Sequence, residues 1–293
     1  MDVSIIFVNY KTKDLTINAI KSVIEKTEGI EYEIFVVDNN SQDGSIEAIE
    51  KEFPNINIIK NTINAGFGAA NNLGIKQAKG KYILCLNTDT LLINNAIKIM
   101  FDFMEKEENK NVGVCGGYLV DEHMKPAHSA GHFPCLKEIL FKVGLRDIFP
   151  NIYKKFSIAL TANDTEFLQN IDLIIGADIF FRKSVLDEVG IFDENYFMYM
   201  EETDLCKRIK DAGYQVKFVE NAKIQHLEQK SSPNELLRKQ RCKTSEFYYY
   251  KKHSPNKIFI AKVLYAILFT LDWIIHKNNM SKEMIFYIAK LRG

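Results

Sequence analysis

The apolar run "KYILCL" predicts a buried strand, and it ends abruptly in Asn87, Thr88 and Asp89. A carboxylate directly after a buried strand can bind a divalent cation, because Mg²⁺ and Mn²⁺ prefer hard oxygen ligands. The same residue types also cap turns and helix starts. This stretch alone therefore leaves a cation site and a cap equally open.

Polar side chains also end two earlier apolar runs. "VSIIFVNY" ends in Asn9 and Tyr10, and "YEIFVVD" ends in Asp38 ahead of the turn-rich "NNSQDGS". Asn40 and its neighbours fit an ordinary turn, whereas Asp38 closes the apolar run and is less readily explained that way. Tyr10 fits ordinary packing equally well.

A third acidic cluster, Glu201, Glu202, Thr203 and Asp204, opens a segment with helical periodicity. Acids in a first helical turn complement the helix dipole, which accounts for one or two of them. It does not account for their recurrence with the preceding "FDENYFMYM". A carboxylate here could instead accept a proton from an attacking hydroxyl group.

Histidine appears at one further position of interest, His226, which follows "AKIQ" after a predicted strand. A lone histidine is more often structural than a metal ligand. His123, His128 and His132 lack ligand spacing on a recognisable element and stay unassigned, although their loop could line an acceptor.

Strand and helix patterns alternate from residue 3 to about residue 90 and resume near residue 171. Such alternation predicts an α/β fold with a parallel sheet covered on both faces. Ligands of such sheets gather at the carboxyl ends of the strands, where Asn9, Asp38 and Asp89 are expected. The segment 121–170 contains three prolines and predicts a long irregular connection.

Composition points to a folded globular protein of 293 residues with 46% hydrophobic content. Five cysteines without a C-x-x-C pair, and no basic-then-apolar leader, favour the cytoplasm. The net charge is zero, but residues 231–293 carry twelve basic and four acidic residues. No uncharged apolar run reaches 18 residues, since Lys262 and Asp272 interrupt 258–275. No nucleic-acid partner is expected.

Five blocks now carry a resemblance: "VSIIFVNY", "VVDNNSQDGS", "NAGFGAANNLGIKQAKGKYILCLNTDT", "GADIFFRKSVLDEVGIFDENYFMYMEETDLCKRI" and "IQH". In this order, over roughly residues 3–226, they resemble the family 2 glycosyltransferases, in particular the rhamnosyltransferase-like branch. The resemblance implies a GT-A-type, Rossmann-like α/β domain over residues 1–230, with a mixed, mostly parallel sheet flanked by helices. Residues 231–293 would form a basic, aromatic-rich helical extension.

The resemblance also implies roles for individual residues. Asn87 stands where the family usually has the first acid of D-x-D, and Glu202 stands where its general base is normally Asp. Glu202 is the expected base, with Glu201 second and Asp178 a lesser candidate. A divalent cation, Mn²⁺ or Mg²⁺, is expected on Asp89, His226 and Asn87. The nucleotide-binding residues implied are Asn9, Tyr10, Asp38, Asn40, Gly66, Asn71 and Thr88. The acceptor-side residues implied are Ala177, Asp178 and Asp204.

The implied activity is inverting transfer of a sugar from a nucleotide diphosphate to a hydroxyl group of a glycan or lipid-linked acceptor in surface polysaccharide synthesis. Asp38 matches the family's pyrimidine-binding aspartate, so the expected donor is a dTDP- or UDP-sugar, with dTDP-rhamnose first. A catalytically silent nucleotide-sugar binder would lose the acids retained here. A sugar nucleotidyltransferase would need a Gly-rich basic loop where this chain has "NYKTKDL".

The tail of residues 231–293 joins cationic and aromatic residues to a long apolar segment. Such a segment can lie on a membrane surface, pack on its own domain or form a homodimer, and the residues leave these alternatives open. The expected location is the cytoplasm, with peripheral attachment to the inner face of the cell membrane if the tail binds lipid.

Overall fold

The structure, a computed structural model, describes residues 1–227 and 235–291. The described residues form two compact units. The first comprises Met1–Gly131, Ala159–Phe197 and 201–227, and the second comprises His132–Ile158, Met198–Met200 and 235–291. The domain boundary expected between residues 230 and 231 lies outside the described residues.

Eleven strands are formed by the described residues of the first unit. They are β1 (Val3–Asn9), β2 (Tyr32–Asp38), β3 (Asn57–Lys60), β4 (Tyr82–Leu86), β5 (Thr90–Leu92), β6 (Val112–Val120), β7 (His128–Gly131), β8 (Leu160–Thr161), β9 (Leu173–Ile174), β10 (Asp178–Arg182) and β11 (Gln215–His226). Eight of them form one sheet in the order β3-β2-β1-β4-β10-β6-β11-β5. β7, β8 and β9 form a second, antiparallel sheet.

The large sheet is mixed, as the resemblance implied. β3, β2, β1 and β4 pair in parallel, as do β6 and β11. β10 and β5 pair only antiparallel with their neighbours. The alternation of strands and helices alone predicted a parallel sheet, and these two strands depart from it. β1 and β4 are buried along nearly their whole length, which explains their continuous apolar sequence.

The described α-helices are divided between the two units. The first unit contains α1 (Lys13–Lys26), α2 (Ser45–Glu52), α3 (Phe67–Ile75), α4 (Ala96–Glu105), α7 (Thr165–Leu168), α8 (Lys183–Val189) and α9 (Glu201–Asp211). The second unit contains α5 (Leu136–Lys142), α6 (Pro150–Lys154), α10 (Glu235–His253), α11 (Ile258–His276) and α12 (Asn279–Lys290).

Two parts of the chain differ from the sequence-based expectation. The segment 121–170, expected to be irregular, contains β7, β8 and the short helices α5 to α7. β11 includes "AKIQ" and His226, which were expected to follow the strand, and it pairs there with the three-residue β5. Both additions depend on pairing with distant strands or helices, which local periodicity does not encode.

The second unit is helical and has its own core. Ile139 of α5, Phe247 and Tyr250 of α10, Ala261 and Tyr265 of α11, and Ile288 of α12 form its buried cluster. The C-terminal helical extension is therefore confirmed. The segment Pro255–His276 is long and apolar enough to cross a membrane by length and composition, with a mean hydropathy of 2.1. The expectation that excluded such a segment required an uncharged run, whereas Pro255–His276 contains Lys257, Lys262 and Asp272.

Candidate active site

Asn9 and Asp38 lie side by side at the carboxyl ends of the parallel strands β1 and β2. Asn9 Nδ2 donates to Asp38 Oδ1 at 2.7 Å and to Ser41 Oγ at 2.9 Å. Asn9 Oδ1 accepts from the hydroxyls of Thr12 at 3.0 Å and Thr16 at 2.8 Å. Both donors and both acceptor positions of the Asn9 amide are thus used within the protein. Asn9 is placed to orient Asp38.

Asp38 is itself held from two sides. Its Oδ2 accepts from the backbone N–H of Ser41 at 3.1 Å. Each carboxylate oxygen keeps acceptor capacity beyond the bond it already receives. Asp38 borders a cleft of about 430 Å³ that is also lined by Ser41, Gln42, Gly44 and Lys60.

Tyr10 and Asn40 are the other two residues expected near the nucleotide base, and both side chains have solvent exposure. Tyr10 is 42% exposed, with the Lys11 ammonium 5.6 Å from its ring centre. Asn40 has a φ of 65°, a left-handed conformation that asparagine tolerates in turns. Its Oδ1 accepts from Gln42 Nε2 at 3.0 Å. Neither side chain is anchored to the Asn9–Asp38 pair.

Gly66 directly precedes α3, at a point where the backbone of another segment passes very close. Its φ is 88°, and a Cβ atom there would lie 2.0 Å from the carbonyl oxygen of Phe197. The N–H of Phe67 donates to that oxygen at 3.0 Å. Asn71, one turn on, donates from Nδ2 to the Phe67 carbonyl at 3.1 Å. Its Oδ1 is buried and has no hydrogen-bond partner among the described residues.

Asp89 and His226 meet across the antiparallel pair β5–β11. Asp89 Oδ1 lies 3.4 Å from His226 Nε2, and each side chain is 16% exposed. The N–H of Leu227 donates to the Asp89 carbonyl at 2.9 Å, and this bond holds the two segments of backbone together. The Asn87 backbone N–H donates to the carbonyl of Ala177 at 2.9 Å.

Thr12 and Thr88 connect this pair to the Asn9–Asp38 pair. Thr88 Oγ1 donates to Thr12 Oγ1 at 3.1 Å, and Thr12 Oγ1 in turn donates to Asn9. Hydrogen bonds thus connect Asp38, Asn9, Thr12 and Thr88, and Asp89 is the next residue in the chain after Thr88. Thr12, Thr16 and Ser41 were missed from sequence. The sequence feature that could have identified them is the run of polar residues that follows strands β1 and β2.

The donor set at Asp89 fits a divalent cation shared with a substrate. Residues 1–227 and 235–291 hold no group of three or more His, Cys, Asp or Glu that could bind a metal alone. Asp89 and His226 supply one carboxylate and one imidazole, and Asn87 supplies an amide two residues away. Mg²⁺ typically takes one or two protein ligands together with substrate phosphates and water. The pair is suited to that kind of site.

Glu201 and Glu202 differ in exposure at the start of α9. Glu201 is 4% exposed, and its Oε2 has no hydrogen-bond partner among the described residues. Glu202 is partly exposed and accepts from Thr203 Oγ1 at 3.3 Å. Burial raises the pKa of both carboxyls, and the charge of Glu202 raises the pKa of Glu201 further. Glu201 is therefore favoured as the protonated partner and Glu202 as the accessible one.

Gly176 lies beside Glu202, since a Cβ atom on it would be 3.9 Å from Glu202 Cγ. The two residues that follow it are buried. Ala177 is engaged through its carbonyl oxygen with Asn87. Asp178 Oδ2 accepts from the Gly117 N–H at 2.6 Å, and burial raises its pKa well above the ordinary range. Asp178 thus has no exposed oxygen for an acceptor sugar.

Asp204 is also buried, and its role is visible in its contacts. Its Oδ2 accepts from Arg208 Nε at 2.9 Å. The Arg208 guanidinium also donates to the carbonyls of Val189, Gly190 and Ile191. The pair fixes the loop after α8. The side chains of all three residues expected on the acceptor side are therefore turned into the protein.

Comparison with known proteins shows which family the chain resembles. Residues 4–190 match the sequence pattern of glycosyl transferase family 2. The chain is 25% identical over 209 residues to the N-acetylglucosaminyl-diphospho-decaprenol L-rhamnosyltransferase of Mycobacterium tuberculosis, and the match spans 66% of each protein. It is 27% identical over 199 residues to the rhamnosyltransferase WbbL of Escherichia coli K12, spanning 64% of this chain and 70% of WbbL.

A solved structure shares the fold. The mannosyltransferase PcManGT from Pyrobaculum calidifontis, solved in complex with GDP-Man and Mn²⁺, superposes with a TM-score of 0.59 at 13% identity. The superposition covers 98% of this chain and 79% of the other. The family pattern covers more than half of the chain. The protein therefore belongs to glycosyl transferase family 2, as a rhamnosyltransferase-like member with the GT-A fold.

Proposed function

We propose that this glycosyltransferase moves a sugar, with inversion, from a dTDP- or UDP-sugar to a hydroxyl group of a glycan or lipid-linked acceptor. The observation that carries the proposal is the hydrogen-bonded chain from Asp38 through Asn9 and Thr12 to Thr88, the residue next to Asp89. In this arrangement Asp38 can accept a hydrogen bond from the N–H of a nucleotide base. The carboxylate–imidazole pair of Asp89 and His226 is then available at the diphosphate. Both ends of a nucleotide diphosphate can then be bound at once.

The diphosphate end would use Asp89, His226 and Asn87 to hold Mn²⁺ or Mg²⁺. When bound, the cation supplies charge neutralisation for the leaving diphosphate. At the other end, Asp38 accepts the ring N–H of uracil or thymine, while Asn9 and Ser41 keep its carboxylate in place. Gly66 lets the backbone at the start of α3 approach Phe197. These residues bind and orient the donor.

Glu202 is the proposed general base. The acceptor oxygen bonds to the anomeric carbon as the bond from that carbon to the diphosphate oxygen breaks. The hydroxyl proton passes to a Glu202 carboxylate oxygen, and the bonding electron pair leaves with the diphosphate. Base and diphosphate must lie on opposite faces of the sugar, as in other inverting displacements. Glu201, protonated beside it, avoids a second buried charge.

The choice of donor and acceptor rests on Asp38 and on the names of two similar proteins. Asp38 favours a pyrimidine nucleotide, and two similar proteins are named rhamnosyltransferases, so dTDP-rhamnose is the first donor to test. The mycobacterial relative is named for a polyprenyl-diphosphate-linked N-acetylglucosamine acceptor, which makes a lipid-linked acceptor our first choice. We place the reaction in the cytoplasm, in surface polysaccharide synthesis.

The test is a donor panel with the purified full chain. UDP-glucose, UDP-N-acetylglucosamine, dTDP-rhamnose and GDP-mannose are each incubated with Mn²⁺ and an N-acetylglucosaminyl-diphospho-lipid, and nucleoside diphosphate release is measured. We expect release from a pyrimidine donor, with dTDP-rhamnose fastest. Release from GDP-mannose alone would contradict the role of Asp38. Donor binding without any release would mark a silent binder.

A further inference from the structure

The second unit exposes an apolar face along α11. Seven large side chains there are exposed, and their spacing of mostly three or four residues places them on one side of the helix. We call them the α11 stripe: Phe259, Ile260, Val263, Ile267, Leu271, Ile274 and Ile275. Scattered exposed apolar residues need no explanation, but a continuous row on one helix marks an interaction surface.

The opposite face of α11 is fixed in the core of its own unit. Ala261 and Tyr265 are fully buried in the cluster with Phe247 and Ile288. Tyr265 Oη donates to Glu246 of α10 at 2.6 Å, and the Lys243 ammonium lies 3.8 Å from the Tyr265 ring centre. A helix held this way cannot be surrounded by lipid without breaking these contacts. The stripe is therefore suited to lie on a surface and not to span a membrane.

The two charged residues of α11 are both bonded to the segment that follows it. Lys262 Nζ donates to the carbonyl oxygen of Leu291. Asp272 Oδ2 accepts from Asn278 Nδ2 at 2.9 Å and from Ser281 Oγ. The charges that interrupt the apolar sequence are thus satisfied beside α12. They do not interrupt the stripe.

Lysines stand at both ends of the stripe. Lys257 precedes α11 and Lys277 follows it, and both are exposed. Lys282 of α12 lies 5.3 Å from the ring of Trp273. Residues 255–291 contain five lysines and two acidic residues. An apolar row bounded by cations fits a surface that offers both acyl chains and anionic headgroups.

We propose that the α11 stripe docks into the interface of an anionic lipid bilayer, with α11 parallel to the membrane plane. A second copy of the chain fits less well. Antiparallel pairing of two stripes would bring Lys257 of one against Lys277 of the other, and parallel pairing would bring each lysine against its own copy. Like charges would meet either way. The inference needs neither the donor nor the acceptor of the proposed reaction.

The test is flotation of the full chain with vesicles of phosphatidylglycerol and phosphatidylcholine (1:1) or of phosphatidylcholine alone. We expect co-flotation with the anionic vesicles at low salt and at least a tenfold weaker affinity at high salt or without phosphatidylglycerol. Ile260→Glu/Ile267→Glu should abolish flotation. Ile24→Glu is the matched control, because Ile24 of α1 is, like Ile260, a helical isoleucine with 49% exposure.

Circular dichroism checks that each variant is folded. Lys257→Glu/Lys277→Glu, which leaves the core untouched, provides a second variant, and it should weaken anionic binding at least tenfold. The proposal is overturned if the intact chain floats with neither vesicle, or if the stripe variants float as the wild type does. A dimer in light scattering that the stripe variants dissociate, without vesicle binding, would assign the stripe to a second copy. Flotation is independent of donor turnover, so its failure leaves the reaction untouched.

Discussion

Asp89 Oδ1 lies 3.4 Å from His226 Nε2, although a long stretch of sequence separates them. The antiparallel register of β5 and β11 sets Thr90 opposite His226, and the Leu227 N–H bonds back to the Asp89 carbonyl. The backbone ladder therefore fixes a carboxylate and an imidazole side by side. The proposed cation site rests on this relationship.

The first prediction concerns this pair. Asp89→Ala should reduce transfer at least 100-fold, because it removes the anionic ligand of the cation. His226→Ala should raise the Mn²⁺ concentration needed for half-maximal activity about tenfold, equivalent to about 1.4 kcal/mol. Initial rates over a Mn²⁺ titration measure both. His123→Ala, on an exposed loop, is the control, and equal behaviour of the two histidine variants would show that His226 is not a ligand.

Glu202→Gln should lower kcat by about 10²–10⁴-fold with nucleotide affinity nearly unchanged, since the amide keeps the shape and loses the proton acceptor. Glu201→Gln should cost much less, because Glu201 is favoured in its protonated form. Steady-state kinetics and calorimetric binding of UDP or dTDP separate the two effects. The reverse ranking would make Glu201 the base.

The assignment of Glu202 as the general base also predicts the direction in which activity changes with pH. A general base works deprotonated, and burial raises the pKa of Glu202. Activity should therefore be lost, as pH falls, at a higher pH than an ordinary glutamate near 4.3 would give. The kcat/KM profile of the wild type measures this limb. A limb at the ordinary value would mean that a different, more exposed carboxylate accepts the proton.

A third prediction concerns stability at Asp178. Burial raises its pKa, so the folded protein keeps a proton that the unfolded chain releases near pH 3.9. Its contribution to the free energy of unfolding therefore falls as pH rises above that value, by up to about 1.4 kcal/mol per unit. Asp178→Asn keeps an oxygen for the Gly117 N–H and does not titrate. Its melting temperature should rise relative to wild type between pH 5 and pH 8.

Asp102→Asn, on the exposed side of α4, controls for loss of a charge. A constant difference between Asp178→Asn and wild type across this pH range would show that Asp178 does not hold a proton in the folded state.

Asp38→Ala should weaken UDP or dTDP binding by about 1.5–3 kcal/mol, the value of a hydrogen bond to a charged group. Isothermal titration measures it. Asp102→Ala, at an exposed position of α4, is the control. An affinity equal to that of wild type for Asp38→Ala would move the base pocket elsewhere.

The strands that position the site could be predicted because each is a short apolar run with a polar end. β1, β2 and β4 end close to Asn9, Asp38 and Asn87, where the apolar sequence stops. Parallel pairing then brings those ends to one edge. The fold class, and the position of Asn9 and Asp38 together at one edge of the sheet, followed from this pattern and from the family resemblance.

Other features could not be predicted because they depend on distant partners. β5 is too short to have a pattern and exists by pairing with β11. Sequence places Asp178 and Asp204 near the site, but only packing shows that one faces Gly117 and the other Arg208. The segment His132–Ile158 joins the C-terminal helices through Ile139, which is buried in their core although its own stretch is weakly periodic.

The last prediction separates backbone strain from close approach at Gly66. Both Gly66 (φ 88°) and Gly213 (φ 93°) adopt a conformation that costs other residues energy, so Ala at either position should be destabilising by about 1–2 kcal/mol. At Gly213 nothing lies within 4 Å of the added Cβ, so that cost is the whole effect. At Gly66 the Cβ would meet the Phe197 oxygen, displacing α3 and the hydrogen bond from Phe67.

Gly66→Ala should therefore lower the melting temperature by more than Gly213→Ala and also weaken nucleotide binding, whereas Gly213→Ala should leave that binding unchanged. Thermal denaturation with and without UDP or dTDP measures both quantities. If Gly66→Ala lost stability only to the extent of Gly213→Ala and bound nucleotide normally, the close approach of α3 to Phe197 would not be needed for the site. Loss of binding at little further cost in stability would instead place the Gly66 backbone against the nucleotide itself.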